Sequence, residues 1–196
     1  LAEYGGMKRV IKNFRAFKKI KREDFVLPQL KAFASLDHAL PILKGQTISQ
    51  PTTVAFMLEL LKPKRGNKVL DVGSGSGWTT ALLAELVGPQ GKIYGVEKIP
   101  ELVKFGKNNV AKYDFQNIEI LPARKKLGLP GKSPFDRILV SAAAKKIPNE
   151  LLEQLNHKGI MVIPVGSSIF CLKKHGRKTS VKEYPGFVFV PLVDNS

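Results

Sequence analysis

Residues 68–77 read KVLDVGSGSG, an apolar β-forming run that passes through Asp71 into a turn with glycine at 73, 75 and 77. Residues 75–88, GSGWTTALLAELVG, continue as a helical pattern, with Gly88 placed to close it. A strand that feeds through a tight turn into a helix is carried back to the end where it began, so the next strand pairs with it in parallel. The alternation repeats outward. KIYGVE (92–97) reads as a strand and PELVKFGKNNVAKY (100–113) as a helix whose first turn suits Pro100. NIEILP (117–122) and FDRILVSAA (135–143) read as third and fourth strands, PNELLEQLN (148–156) as a helix and GIMVIPVG (159–166) as a further strand. Upstream, residues 49–62 predict a helix with Val54, Met57, Leu58 and Leu61 on one face and Pro63 as its stop. Residues 171–179, CLKKHGRKT, read as a basic loop, and VKEYPGFVFVPLV (181–193) suggests a terminal hairpin with Phe187 and Phe189 on one face. The expected class is α/β, a doubly wound, mostly parallel sheet.

With 196 residues, 43% of them hydrophobic, the chain can bury one substantial core but is short for two ordinary domains. We therefore expect a basic N-terminal arm over residues 1–24 and one folded domain over 25–196. No run approaches the roughly 18 apolar residues of a membrane span, and no signal-type apolar block follows the basic N-terminus, so a soluble cytoplasmic protein without membrane contact is expected. Cys171, the one cysteine, lies in the apolar run IMVIPVGSSIFCL and reads as a buried small hydrophobe. His157 and His175 have no metal-ligand partners at suitable spacing, and no metal is expected. The formal net charge is +16, and residues 8–22, KRVIKNFRAFKKIKR, hold eight basic residues and no acidic one. Val10, Phe14 and Phe17 recur at helical spacing, which predicts an amphipathic helix docked by one apolar stripe with its cations outward. A charge run of this kind also fits a nucleic-acid footprint.

The glycines at 73, 75 and 77 give GxGxG, and Trp78 stands where a nicotinamide fingerprint needs its last glycine. Glycines there permit positive φ and let backbone approach a ligand. Asp71 at the strand end can accept from an ammonium group, and Glu97, which ends the second strand, can accept from both hydroxyls of a ribose. Together these features point to a nucleoside cofactor, S-adenosyl-L-methionine, held by Asp71, Gly73, Ser74, Gly75, Gly77, Glu97 and Lys98.

Further motifs stand in a specific order: ALPILKGQTISQPTTVAFMLELL (39–61), VEKIPELV (96–103), SPFDRILVSAAAKKIP (133–148), LLEQLNHKGIMVIPVG (151–166) and FVPLV (189–193). In these the chain resembles the protein-L-isoaspartate O-methyltransferase family, from about Phe25 to Val193. The resemblance implies a Rossmann-like seven-stranded sheet, with a strand order on its C-terminal side unlike that of most methyltransferases. It implies methyl transfer from S-adenosyl-L-methionine to the carboxylate of L-isoaspartyl residues in damaged proteins and peptides, followed by succinimide formation. It places the catalytic serine on Ser49, with Thr47 and Ile48 lining the same site. An isoaspartyl carboxylate, with a reference pKa of about 3.7, is already ionised at neutral pH and needs placement rather than a base. Read from the residues alone, Ser49 ahead of Gln50-Pro51 also fits a helix cap. Asp37-His38 reads as a structural turn or surface hydrogen bond.

The chain departs from the family at PARKKLG (122–128), where the family's Gly-Asp-Gly falls on Ala123, Arg124 and Lys125, so the resemblance adds Arg124 to the cofactor-binding residues. The family's aspartate there accepts from the adenine amine. Arginine has donors only, so an acceptor is lost at Arg124 unless a backbone carbonyl or a neighbour such as Asp136 supplies one. Ala123 and Lys125 would also restrict any positive φ the loop needs. Two other readings follow: a non-catalytic binding protein on the same fold, and a nucleic-acid methyltransferase guided by the basic residues.

Overall fold

Seven strands lie in one sheet in the order β5-β4-β3-β6-β7-β8-β9: β3 (Lys68–Val72), β4 (Lys92–Glu97), β5 (Ile118–Pro122), β6 (Phe135–Val140), β7 (Leu155–Val165), β8 (Ser168–His175) and β9 (Lys178–Pro185). This is a computed structural model that describes residues 15–176 and 178–192. The pairs among β5, β4, β3, β6 and β7 are parallel, and β7–β8 and β8–β9 are antiparallel. The last three strands therefore join edge to edge in sequence order. A separate antiparallel pair of two residues each, β1 (Leu40–Pro41) and β2 (Thr47–Ile48), precedes the sheet.

The central strands read as apolar runs because both of their faces are covered. Val69, Ile93, Leu139 and Val162 point into one core, while Leu70, Val72, Ile138, Val140 and Met161 point into the other. The first core also receives buried residues of α1 (Arg15–Lys19), α2 (Pro51–Leu61), α3 (Trp78–Val87) and α4 (Pro100–Val110), and the second takes Leu151 of α5 (Asn149–Glu153). As expected, Val54, Met57, Leu58 and Leu61 are the buried stripe of α2, and Gly88 with φ of 67° closes α3. Strand order reverses where β4 and β6 flank β3, and the C-terminal ends of the strands open a crevice there.

Three stretches bear on the expectations. First, the segment ahead of residue 25 packs on the rest of the domain: Ala16 and Ile20 are buried, Phe17 meets Trp78 edge-on at 5.8 Å, and Lys19 pairs with Glu85 at 2.7 Å. Residues 15–24 thus share the main core, while Val10 and Phe14 lie outside the described residues. Second, residues 171–175 are strand rather than loop. Cys171 pairs with Val162 and Lys182, and Cys171 and Leu172 are buried. Lys174 Nζ donates to the carbonyls of Leu152 and Leu155 at 2.8 and 2.7 Å at the end of α5. Third, the hairpin is β8–β9, and it stops at Pro185 before Gly186 turns at φ of 92°. The chain then folds back over the sheet. Phe187 stacks on Phe56 at 5.4 Å, and Phe189 packs in the same cluster. Ala143 N donates to Val190 O, and Leu192 N to Ala143 O, each at 2.8 Å.

Candidate active site

The turn after β3 is pinned to β4: Gly73 N and Ser74 N both donate to Val96 O, at 2.8 and 3.1 Å. Gly73, Gly75 and Gly77 adopt φ of 77°, 51° and 85°, so each requires glycine on backbone grounds. Their surroundings differ. A β-carbon at Gly73 or Gly75 would approach nothing closer than 3.7 Å, whereas one at Gly77 would lie 2.9 Å from Gly106 O and 3.0 Å from Val110 Cγ2. The first two glycines form an open cradle, and the third lets α4 press against the start of α3. Between them Ser74 is buried with a hydroxyl that has no hydrogen-bond partner among the described residues.

Glu97 is 7% exposed and braces this turn from β4. Its Oε2 accepts from Gly75 N at 2.9 Å, and its Oε1 accepts from Lys98 N and Ile99 N at 2.8 and 3.0 Å. A carboxylate offers about four lone-pair sites, so one remains on Oε2 for a ligand hydroxyl where the sequence suggests room for two.

A cleft of about 960 Å³, counted to its open mouth, runs along the turn. Thr47, Ile48 and Ser49 line one side, Gly73, Ser74, Gly75, Glu97 and Lys98 the floor, and Arg124 with Lys126 the far rim. Asp71 and Gly77 are not on its wall. Asp71 lies beneath, fully buried, with Oδ2 accepting from the hydroxyls of Thr79 and Thr80 at 2.7 Å each and Oδ1 3.4 Å from Ser141 Oγ. Burial pushes its carboxyl up to about 6, against the pull of Thr80, Thr79 and Ser141 and with a further push from the Glu97 charge.

Ser49 does not cap α2. The cap residue is Gln50, and the carboxylate of Asp37, from the preceding turn, does the capping. Asp37 Oδ1 accepts from Thr52 N and Oδ2 from Thr52 Oγ1, both at 2.9 Å, while Gln50 Nε2 donates to Asp37 O at 2.9 Å. Asp37 thus has the structural role expected of it. The Ser49 hydroxyl makes no hydrogen bond among the described residues and lines the cleft.

The substituted loop also behaves differently from expectation. Ala123 and Lys125 are not among the residues with positive φ, which falls instead on Gly128 at 78°. Gln154 holds that stretch, donating to Leu127 O at 2.8 Å and accepting from Leu129 N at 2.7 Å. Asp136 cannot serve the cleft. Its oxygens accept from Lys68 N and Asn156 Nδ2, both at 2.9 Å, at the opposite end of the strands. Three lining residues were not expected at the cleft: Val190, Pro191 and Leu192, part of the FVPLV motif, reach it because the chain folds back after β9.

The model of the protein-L-isoaspartate(D-aspartate) O-methyltransferase family matches residues 3–196. The chain belongs to this family. Among its relatives, the protein-L-isoaspartate O-methyltransferase of Pyrococcus horikoshii is 43% identical over 91% of this chain and 83% of its own length. That of Thermococcus onnurineus is 44% identical over 96% of this chain and 88% of its own. A Plasmodium falciparum structure described as a beta-aspartate methyltransferase in complex with S-adenosyl-L-homocysteine superposes with a TM-score of 0.84 over 96% of this chain and 95% of its own, at 23% identity, and shows the shared fold.

Proposed function

We infer that this family member transfers a methyl group from S-adenosyl-L-methionine to the α-carboxylate of L-isoaspartyl residues in damaged polypeptides. The observation that carries the reading is the placement of the unpartnered Ser49 hydroxyl on the same cleft as the glycine cradle. The cradle fits the cofactor on its own chemistry: uncrowded backbone at Gly73 and Gly75, where even a β-carbon would make only ordinary contact, an orphaned Ser74 hydroxyl, and one spare acceptor position on Glu97. When bound, the cofactor supplies an electrophilic methyl on a sulfonium centre. Asp71 provides a negative charge beneath the floor for the cofactor's ammonium, and Gly73, Ser74, Gly75, Glu97 and Lys98 hold the nucleoside. Gly77 acts through helix packing. Arg124 occupies the rim where the family places an adenine acceptor, and its guanidinium can only donate.

Ser49 donates its hydroxyl hydrogen to the incoming carboxylate and fixes its direction, with Thr47 and Ile48 shaping the subsite. No base is required, since the nucleophile arrives ionised. Attack joins an anion to a cation, and a cleft that excludes water favours that loss of charge. The nucleic-acid alternative is less well served. Trp78, the one aromatic residue on the wall among the described residues, is 2% exposed and offers no face for an extruded base. The deciding experiment supplies labelled-methyl cofactor with an isoaspartyl peptide and its normal aspartyl twin. Label is expected in base-labile ester on the isoaspartyl peptide alone. Equal labelling of both, or of neither, overturns the reading.

A further inference from the structure

One member of the basic run is not a surface cation. Arg22 is 7% exposed, and its guanidinium reaches five backbone carbonyls. Nη1 donates to Ala34 O at 3.1 Å and Leu36 O at 3.2 Å, while Nη2 donates to His38 O at 2.8 Å, Ser49 O at 3.1 Å and Ile48 O at 3.4 Å. The same group sits 5.4 Å from the centroid of the Trp78 ring, which walls the cleft. Buried arginines ordinarily face a carboxylate. Here Asp37, the nearby acid, spends its oxygens on Thr52 and Gln50, and every hydrogen-bond acceptor of Arg22 is a neutral carbonyl.

Strand pairing gives the Ser49 segment little support, because β2 is two residues long and pairs only with the two residues of β1, so besides the buried Ile48 side chain and the Asp37 contacts of Gln50 and Thr52 its backbone depends on Arg22. We propose that Arg22 is a positioning residue for methyl transfer: by clamping the carbonyls of Ile48 and Ser49 against the 34–38 turn and Trp78, it fixes the direction of the Ser49 hydroxyl. The four N–H groups on its two terminal nitrogens suit carbonyls converging from separate segments, while its Nε is buried without a partner among the described residues, and the three donors of a lysine would satisfy fewer of the carbonyls. Burial lowers its pKa to about 10, with the Asp37 charge opposing, so it remains a cation at neutral pH. A positive charge 3.1 Å from the Ser49 carbonyl, only partly offset by Asp37, also favours a carboxylate arriving at this segment.

This proposal rests on the role of Ser49, and the test separates the two. Arg22→Ala, Arg22→Lys, Ser49→Ala and the Arg22→Lys/Ser49→Ala double variant are assayed with an isoaspartyl peptide at a temperature where circular dichroism shows each folded. Arg22→Lys is expected to lower kcat roughly tenfold or more while cofactor Kd moves less than about threefold, the pattern of lost orientation. Ethylguanidinium should restore part of the turnover of Arg22→Ala. In the Ser49→Ala background Arg22→Lys should cost little further. Wild-type turnover in Arg22→Lys, equal losses in turnover and cofactor affinity, or costs that multiply in the double variant would each overturn the proposal. Should Arg22→Ala fail to fold, the Arg22→Lys pair still decides. A Ser49→Ala variant with full activity would instead defeat the assignment of Ser49.

A second observation stands apart from the first. Past Lys126 and Leu127, which line both hollows, the cleft continues into a groove bordered by Lys125, Lys126, Lys145 and Lys146 and faced by Glu150 and Glu153. Lys126, Lys145 and Lys146 are exposed and form no ion pair among the described residues. The geometry points to a substrate polypeptide with acidic residues flanking its isoaspartate, drawn along this groove by charge. The inference rests on the isoaspartyl reading. Two isoaspartyl peptides with the same core, one flanked by glutamates and one by glutamines, are compared using wild type and Lys145→Gln/Lys146→Gln. At low salt the wild type should favour the acidic peptide in kcat/KM by roughly three- to tenfold, a preference that added salt and the double variant both erase. Equal use of the two peptides by wild type overturns the inference, as does inhibition by a short single-stranded RNA that the variant escapes. A wild type that methylates neither peptide defeats the isoaspartyl reading itself.

Discussion

Asp71 should leave a measurable signature in the pH dependence of stability. Its carboxyl is raised from 3.8 to about 6, chiefly by burial, and a shift of that size corresponds to about 3 kcal/mol between the two ends of the titration. Below pH 3.8 both folded and unfolded chains keep the proton and Asp71 contributes no difference. As pH rises from there to about 6 the unfolded chain ionises first, so the folded state loses ground. Above that range the full cost of about 3 kcal/mol applies. Asp71→Asn removes the titration while keeping an acceptor for Thr79 and Thr80, though its amide hydrogens add a cost that does not vary with pH. Urea unfolding of both proteins from pH 4 to 7.5 isolates the effect. The stability of Asp71→Asn relative to wild type should increase by about 2.5 kcal/mol across that range, the rest of the cost having already fallen below pH 4, whatever its sign at the start. A relative stability constant within about 0.5 kcal/mol would refute the buried-carboxylate reasoning.

Ser49→Ala should lower kcat roughly tenfold to hundredfold, the cost of one hydrogen bond to a charged group, with cofactor affinity by calorimetry within about twofold. Because Asp37 caps α2, the same variant should melt within about 1 °C of wild type; a clear loss of stability would return Ser49 to a capping role. Gly77→Ala combines a left-handed backbone with a β-carbon 2.9 Å from Gly106 O, so denaturant titration should show a loss of about 2 to 4 kcal/mol. Restoring Gly-Asp-Gly at Ala123, Arg124 and Lys125 should tighten cofactor binding roughly tenfold, from one recovered hydrogen bond. Unchanged affinity at both low and high salt would defeat the lost-acceptor argument.

What can be read along the chain and what cannot follow from the range of the forces involved. The strands at 68–72 and 92–97 are legible because covering both faces demands unbroken apolar runs, and the glycine turn is legible because positive φ admits few other residues. Residues 171–175 mislead because Lys173 and Lys174 read as solvated, while strand pairing on both edges and the carbonyls at the end of α5 decide their state. Thr47, Ile48 and Ser49 are found by their motif, but the hydroxyl of Ser49 is left without a cap to make only because Asp37 comes from 15 residues before Thr52. Arg22 is hidden in a run of similar charges. Its acceptors lie 12 to 27 residues away, and no local pattern announces that a cation will be buried among carbonyls.

The wall made by Val190, Pro191 and Leu192 has a consequence for how the enzyme comes into being. Synthesis proceeds from the N-terminus, so β3, the glycine turn and the Ser49 segment are all made well before residues 187–192 leave the ribosome. A nascent chain that has already paired β8 with β9 still has an unfinished cleft, because Phe187 has not yet stacked on Phe56 and the carbonyl of Val190 has not yet met Ala143 N. Cofactor affinity should therefore arise only once residues 187–192 have docked, and a chain cut after Pro185 would carry a sheet with a cradle open on one side.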